Sequence, residues 1–381
     1  MLKPNILYIT SYYLDDVIDQ RKSTPYISQA GQNKSEFMIK CLSVFANVNV
    51  WSNAWTSCKL MRYYKGFQSS VDPKIYYSDI IGWPVLNSLS CLISGMKYIN
   101  RVIKESKINA IVFYNYRVET ALLAKYAKRK YKIPIYIEFE DDFLNDCSIG
   151  RMKKRVFAKV EEWVMPCLDG AILVTSNLHQ RVHCDSMIIR GAISKSGCKN
   201  VYSGPGGKIR ILFASSLDEK RGGKIVLDAL NYIDENFELI VTGRGELEEA
   251  FETTSDERVQ YLGYLSYEMY LKELAKADIC LCAQLMNDDF CAGCFPSKIF
   301  EFLSARKVVV SSAVSDVREV LGDTIIVYEQ DDGEKLALAL KKAIEICQNC
   351  EALQHYQEEV DKFVNDNAIE AVAERLQELL F

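Results

Sequence analysis

The segment DDFCAGCFPSKIFEFLSARKVVVSS, residues 288–312, gathers residue types that can hold an anionic ligand and a sugar. An irregular loop through Gly293, Cys294 and Phe295 runs into Pro296, after which Ser297 and Lys298 open a predicted helix carrying Glu301. Proline is favoured at the first helical turn, where its missing N–H has no intrahelical partner. The amides of residues 293–298 therefore suit an anion or sugar hydroxyls. Glu301, four positions beyond Ser297, shares its face and can accept two hydroxyl hydrogen bonds from a ribose. A second segment, FASSLDEKRGGKIVLDAL (213–230), leaves a predicted strand at Ser215 and Ser216 and brings Arg221 beside Gly222 and Gly223 at a helix start. Free amides and a fixed cation in one turn suit a pyrophosphate. An ordinary glycine-containing loop is the alternative, because a single Gly-Gly is a weak signal.

Other candidates carry less. Cys291 and Cys294, with Cys280 and Cys282, have the residue types of a zinc site, but Cys280 and Cys282 lie in an apolar strand (ADICLCA), so no metal site is expected. The acidic run EFEDD (Glu138, Glu140, Asp141, Asp142) ends the predicted strand IPIYI, where an acceptor-positioning group would stand. A solvated loop, a metal-binding pair and a glycosidase carboxylate pair are its alternatives. His179, His183 and His355 are the only histidines and read as structural or surface groups, the first two on a predicted helix, so no histidine general base is evident.

The elements that must position these residues alternate between strand and helix. In the second half KIRILFA, FELIVTG, RVQYLG, DICLCA, KVVVSS and TIIVY read as strands with amphipathic segments between them. The first half repeats the theme with PNILYIT, NVNVW, AIVFYN, IPIYIE, GAILV and MIIR, and with helical stretches near 33–45, 88–105, 117–130 and 150–167. Apolar runs of this kind, alternating with helices, predict an α/β protein with doubly wound parallel sheets. The Gly-, Ser- and Asn-rich stretch 194–208 reads as a linker. The expected domains are therefore 1–200 and 201–365, with a C-terminal helix, about 366–381, a candidate to pack back on the first. Ligands should bind in a cleft between the two, beyond the carboxyl ends of the strands.

A chain of 381 residues, 49% hydrophobic and 25% charged, can bury two cores and is neither disordered nor low in complexity. No apolar run approaches a membrane span and the start lacks a secretory pattern, so a cytoplasmic address is expected. Residues 1–200 hold 28 Lys and Arg against 17 Asp and Glu, a net +11, while 201–381 hold 18 against 34, a net −16. KYAKRKYK (125–132) and RMKKRVFAK (151–159) concentrate the positive charge as solvated helix faces or as an anionic-surface contact. The helix around Leu86 to Ile103 reads as inward-facing core, with shallow membrane burial as the alternative.

The second half resembles the donor domain of a GT-B glycosyltransferase, closest to glycosyltransferase family 4. Five family motifs appear in order as SSLDEKRGG, TGRGE (Gly243, Arg244), RVQYLGYLS, CAGCFPSKIFEFLSARKVVVSS and SDVREVLGD, over about residues 208–330. The resemblance implies two Rossmann-like domains facing each other across a cleft, with Arg221 neutralising the donor pyrophosphate and Glu301 binding the nucleotide ribose. Ser216 replaces the turn arginine of the family, and Gly293 replaces the first glutamate of its paired-glutamate motif, a form similar to a subset of bacterial polysaccharide enzymes. On the acceptor side, Gly31 stands where the family has a glycine-rich loop, before a helix capped by Asn33 or Ser35.

The expected function is transfer of a sugar from a nucleotide diphosphate-sugar to a glycan or lipid-linked acceptor, with retention, in bacterial surface-polysaccharide synthesis. Arg221, Lys298 and Glu301 are the expected catalytic set. Ser215, Ser216, Gly222, Gly243, Arg244 and 293–297 are the expected donor-binding set, and Gly31, Glu138 and Asp141 the acceptor side. No cofactor, metal or nucleic acid is expected, and the basic half is a candidate peripheral membrane contact. The competing readings are a catalytically degenerate GT-B fold that binds nucleotide-sugar or a partner, and a Rossmann oxidoreductase, which the absence of G-x-G-x-x-G after a first strand disfavours.

Overall fold

The structure is a computed structural model that describes residues 3–23, 25, 27–55, 62–145, 149–191, 193, 207–286 and 295–381. Two compact units divide the chain, residues 1–192 with 369–381, and residues 193–368.

In the first unit the elements run β1 (Asn5–Thr10), α1 (Asp15–Arg21), α2 (Gln29–Phe45), β2 (Asn47–Ser52), β3 (Tyr63–Tyr64), β4 (Phe67–Gln68), β5 (Ile75–Tyr77), β6 (Ile80–Ile81), α3 (Pro84–Glu105), β7 (Ile108–Tyr114), α4 (Val118–Tyr131), β8 (Ile135–Phe139), α5 (Arg151–Val164), β9 (Gly170–Leu173) and β10 (Asp185–Ile188). The sheet order is β10-β9-β8-β7-β1-β2-β5-β4, parallel except for β4. The chain starts at the centre, on β1, and departs first to β2 and later to β7, so the strand order reverses beside β1. Ile6, Leu7, Tyr8 and Ile9 are wholly buried because helices cover both faces of a doubly wound sheet.

The second unit runs β11 (Ile209–Ala214), α6 (Gly223–Ala229), β12 (Phe237–Thr242), α7 (Glu248–Glu252), β13 (Val259–Tyr261), α8 (Tyr267–Lys276), β14 (Ile279–Cys282), α9 (Lys298–Ser304), β15 (Val308–Ser312), α10 (Val317–Leu321), β16 (Ile326–Tyr328), α11 (Gly333–Gln348) and α12 (Cys350–Asp366). Its six strands are ordered β13-β12-β11-β14-β15-β16 and are all parallel. That is the dinucleotide-fold order 3-2-1-4-5-6, with its reversal between β11 and β14, where such folds bind ligands. The last helix, α13 (Ile369–Leu380), returns to the first unit, where Val372, Ala373, Leu376 and Leu380 join the core formed by Phe37, Met38 and Leu42 of α2.

Three local expectations change. Helix α2 starts before Gly31, not after it, because the Ser28 hydroxyl accepts the Gly31 amide at 3.1 Å and caps the helix in place of Asn33 or Ser35. His179 sits on a short 3-10 turn, Ser176–Arg181, and His183 lies past its end. Helix α3 buries one stripe along its length, from Asn87 and Cys91 onward, but leaves apolar residues of its other face in solvent. Tyr98, Ile99 and Val102 are buried, whereas Trp83, Leu86, Leu89 and Ile93 are exposed.

Candidate functional site

The reversal point of the second sheet gathers the sequence-predicted donor residues that lie among the described ones. Ser215 follows the carboxyl end of β11 and donates its amide to Thr242 O at 3.1 Å, with Ser216 exposed beyond it. The Asp218 carboxylate accepts the Arg221 amide at 2.9 Å, which closes one turn of 3-10 helix and points the chain toward β14. Gly222 then adopts φ +77°, and a Cβ there would lie 1.7 Å from the Ala283 carbonyl oxygen. Only glycine permits this conformation and this approach. The contact draws the Arg221 loop against the segment after β14, where Leu285 N donates to Lys220 O at 2.9 Å. Gly243, after β12, has the same necessity, since a Cβ would meet Ser215 O at 1.8 Å. Arg244 stays exposed, with its guanidinium 4.0 Å from the ring centroid of Tyr264.

Helix α9 completes the site. Phe295 and Pro296 are buried, Phe295 with its ring centroid 5.3 Å from that of Phe300, and the Pro296 carbonyl accepts Ile299 N at 3.0 Å. Ser297 is exposed. Lys298 is open to solvent as a residue, yet its ammonium turns inward and donates to Ala214 O, the last carbonyl of β11. Burial of the ammonium holds its pKa below the ordinary lysine value and Arg221 acts in the same direction, while Glu301 opposes both. Among the described residues no carboxylate forms an ion pair with Arg221 or Lys298. Two mutually repelling cations at strand ends are an arrangement that a diphosphate would relieve. Glu301 accepts from Tyr267 Oη at 2.8 Å and from Tyr270 Oη at 2.7 Å. These tyrosines escape the motif reading, although YEMY directly follows RVQYLGYLS and sets two hydroxyls three residues apart on one helix face. Gly293 and Cys294, with Cys291, lie outside the described residues.

Residues 208–346 match the family described as Glycosyl transferases group 1. This part of the chain is similar to the group 1 glycosyl transferases. No curated protein matches the chain by sequence. Among solved structures, the sucrose-phosphate synthase of Thermosynechococcus elongatus is similar with a TM-score of 0.69 at 13% identity, covering 99% of this chain and 98% of that one. The lipopolysaccharide outer core galactosyltransferase WaaB in its apo form gives 0.61 at 13% identity, covering 99% of each chain. Anabaena HepE in complex with UDP gives 0.59 at 14% identity, again with 99% of each chain covered. The fold is GT-B, with two Rossmann-like domains.

The first unit of this glycosyltransferase carries a buried polar cluster at its own reversal point. Glu138 is fully buried and accepts from Tyr8 Oη at 2.5 Å, so it is an interior group and not part of a solvated loop. Burial, then the neighbouring Glu140, pushes its carboxyl up to about 8. The Lys34 ammonium lies 3.1 Å from Glu140 Oε1 and also donates to Ile189 O at 2.5 Å. Asp141 accepts from Asn115 Nδ2 at 2.8 Å, and Asn115 Oδ1 accepts the Glu140 and Asp141 amides. Gly31 packs against Ile27 and Ser28 within the first turn of α2. Among the described residues, no group of three or more His, Cys, Asp and Glu side chains could hold a metal ion.

The two basic blocks differ once folded. On α4, Lys125 donates to Trp163 O, Lys128 binds Asp169 and Cys167 O, and Lys130 binds Asn100 and Tyr126. On α5, Arg151, Lys153, Arg155 and Lys159 are exposed, interleaved with Met152 and Val156, which are 81% and 49% exposed. Among the described residues no helix is long and apolar enough to cross a membrane. A groove of about 650 Å3 beside edge strand β16, lined in part by Arg318, Tyr328, Lys335 and Lys342, shares none of the residues gathered at the reversal point of the second sheet.

Proposed function

We propose that this glycosyltransferase moves a hexose or related sugar from a nucleotide diphosphate-sugar, held at the reversal point of the second sheet, to a glycan or lipid-linked acceptor, with retention of configuration. The observation that carries this reading is the convergence of Arg221 and Lys298 on the carboxyl ends of β11 and β14, with Glu301 three residues from Lys298 on the same helix. In the reaction, the bond from the anomeric carbon to the diphosphate oxygen breaks and its electron pair leaves with the phosphate. The acceptor hydroxyl oxygen bonds to the same face of that carbon and gives its proton to the departing phosphate oxygen. Charge develops on the leaving diphosphate, where Arg221 and Lys298 stabilise it. The reaction then needs neither a histidine base nor a bound metal. The GT-B neighbour HepE is a complex with UDP, which makes UDP the first nucleotide to try.

Bacterial surface-polysaccharide synthesis is the pathway proposed, and a lipid-linked acceptor would place the first unit at an anionic membrane surface. The exposed basic and apolar residues of α5, with Trp83, Leu86, Leu89 and Ile93 at the start of α3, support that contact. Release of nucleoside diphosphate from labelled nucleotide-sugars, with and without candidate acceptors, tests the activity. Tight donor binding with no turnover on any acceptor would favour a nucleotide-sugar-binding protein, the alternative raised by Ser216 and Gly293.

A further inference from the structure

Both carboxylate oxygens of Glu301 are engaged before any ligand arrives. Tyr267 Oη donates to Oε1 at 2.8 Å and Tyr270 Oη to Oε2 at 2.7 Å. The two tyrosines stand three positions apart on α8, with ring centroids 5.9 Å apart and planes inclined by 28°. Tyr270 is 7% exposed, and the Lys298 ammonium lies 5.3 Å from its ring centroid. One buried side chain therefore touches both the proposed ribose carboxylate and one of the proposed phosphate cations.

Burial alone accounts for half of this arrangement. A hydroxyl as enclosed as that of Tyr270 needs a partner, and Glu301 is within reach. Tyr267 is different, because at 42% exposure water could satisfy its hydroxyl. Its bond to Glu301 is not required by desolvation, yet it completes a symmetric hold, one tyrosine on each oxygen. An ionised carboxylate has about four acceptor positions, so two tyrosine bonds leave about two. With both oxygens fixed, those two point in set directions and match a pair of adjacent hydroxyls. A glutamate side chain free to rotate about three torsions would have to be ordered by the ligand at the cost of its rotamer freedom.

The geometry points to Tyr267 and Tyr270 as positioning residues that preset Glu301 to read the vicinal hydroxyls of a ribose, so that the donor site selects ribonucleotides over 2′-deoxyribonucleotides. This rests on the reading of Glu301 as the nucleotide carboxylate. Affinities of UDP, ADP and GDP would be measured by titration calorimetry. The tightest of them would then be compared with its 2′-deoxy analogue on the full-length chain and on Tyr270→Phe, Tyr267→Phe and the double variant.

The expected result is that the unaltered protein prefers the ribonucleotide. Each single variant should lose about fivefold in affinity for it, within the range of one hydrogen bond, with less loss for the deoxy form. The double variant should bind the two nearly alike. Variants that melt earlier but keep the unaltered ribo-to-deoxy ratio would overturn the positioning role and leave the tyrosines structural. Tyr267→Phe, on an exposed ring, keeps that comparison available if Tyr270→Phe folds poorly. An unaltered protein that binds no nucleoside diphosphate would overturn the donor-site reading together with this inference, a result distinct from an unchanged ratio.

Discussion

The ammonium of Lys298, at the start of α9, donates to the carbonyl of Ala214, the last residue of β11, so the helix that carries Glu301 is tied to the strand that leads into the Arg221 turn. The two segments are more than eighty residues apart, and this bond sets the distance between the Arg221 turn and the Glu301 helix. It also keeps a buried ammonium next to a guanidinium, an arrangement that disfavours its charged form until an anion arrives.

Arg221→Ala should weaken nucleoside diphosphate binding by about tenfold to a hundredfold, the range for one charge-assisted hydrogen bond lost. The fold should persist, because the Asp218 cap is made to the Arg221 backbone amide and not to its side chain. Titration calorimetry beside a thermal melt separates the two effects, and unchanged affinity would remove Arg221 from the site.

Gly222→Ala should cost stability as well as binding. The new Cβ would stand 1.7 Å from a backbone oxygen at φ +77°, and strain of this kind is worth on the order of 1–3 kcal/mol before the clash is counted. Gly150→Ala, where a Cβ meets nothing within 4 Å, is the control and should melt like the unaltered protein. Denaturant midpoints for both variants check this.

Glu138 gives the first unit a pH signature. Its folded carboxyl keeps its proton up to about 8, whereas the ordinary value is 4.5, so between these limits the unfolded chain holds fewer protons than the folded one. Stability from this group is therefore complete at low pH and declines as pH rises toward 8. Glu138→Gln, which still offers an oxygen to Tyr8, should match the unaltered protein near pH 4 and exceed it above pH 8. A stability difference that stays constant across this range in urea titrations would contradict the assignment.

Flotation with anionic vesicles should succeed at low salt and fail at high salt, since basic residues near such a surface contribute about 1 kcal/mol each and are screened by ions. Lys153→Glu, Arg155→Glu and Lys159→Glu together should abolish it. Arg129→Glu on α4 should have a smaller effect, because neighbouring Lys125, Lys128 and Lys130 are already bonded within the unit. Equal flotation with neutral vesicles would point away from charge.

The strands of both sheets are legible from sequence because parallel strands buried on two faces appear as continuous apolar runs, such as ILYI before Thr10 and VVV before Ser311. The short strands between Tyr63 and Ile81 are not, since two- and three-residue pairings carry no period. Ser28, Asn33 and Ser35 are all plausible caps by residue type, and only the Gly31 amide distinguishes Ser28. The Arg221 turn and the Glu301 helix can be found because each is a local pattern. Their meeting through Lys298 and Ala214, and the hold of Tyr267 and Tyr270 on Glu301, join residues 31 to 84 positions apart and leave no local trace. The burial of Glu138 is hidden for the same reason, because its partner Tyr8 lies 130 residues away.

The most direct test of the donor site is titration of UDP, ADP and GDP into the full-length protein in excess chelator, with Arg221→Ala and Glu301→Gln in parallel. The prediction is one site per chain for at least one nucleotide, unaffected by chelation and weakened in both variants while their melting temperatures hold. Absence of binding for every nucleoside diphosphate, or binding that appears only with an added divalent ion, would contradict it.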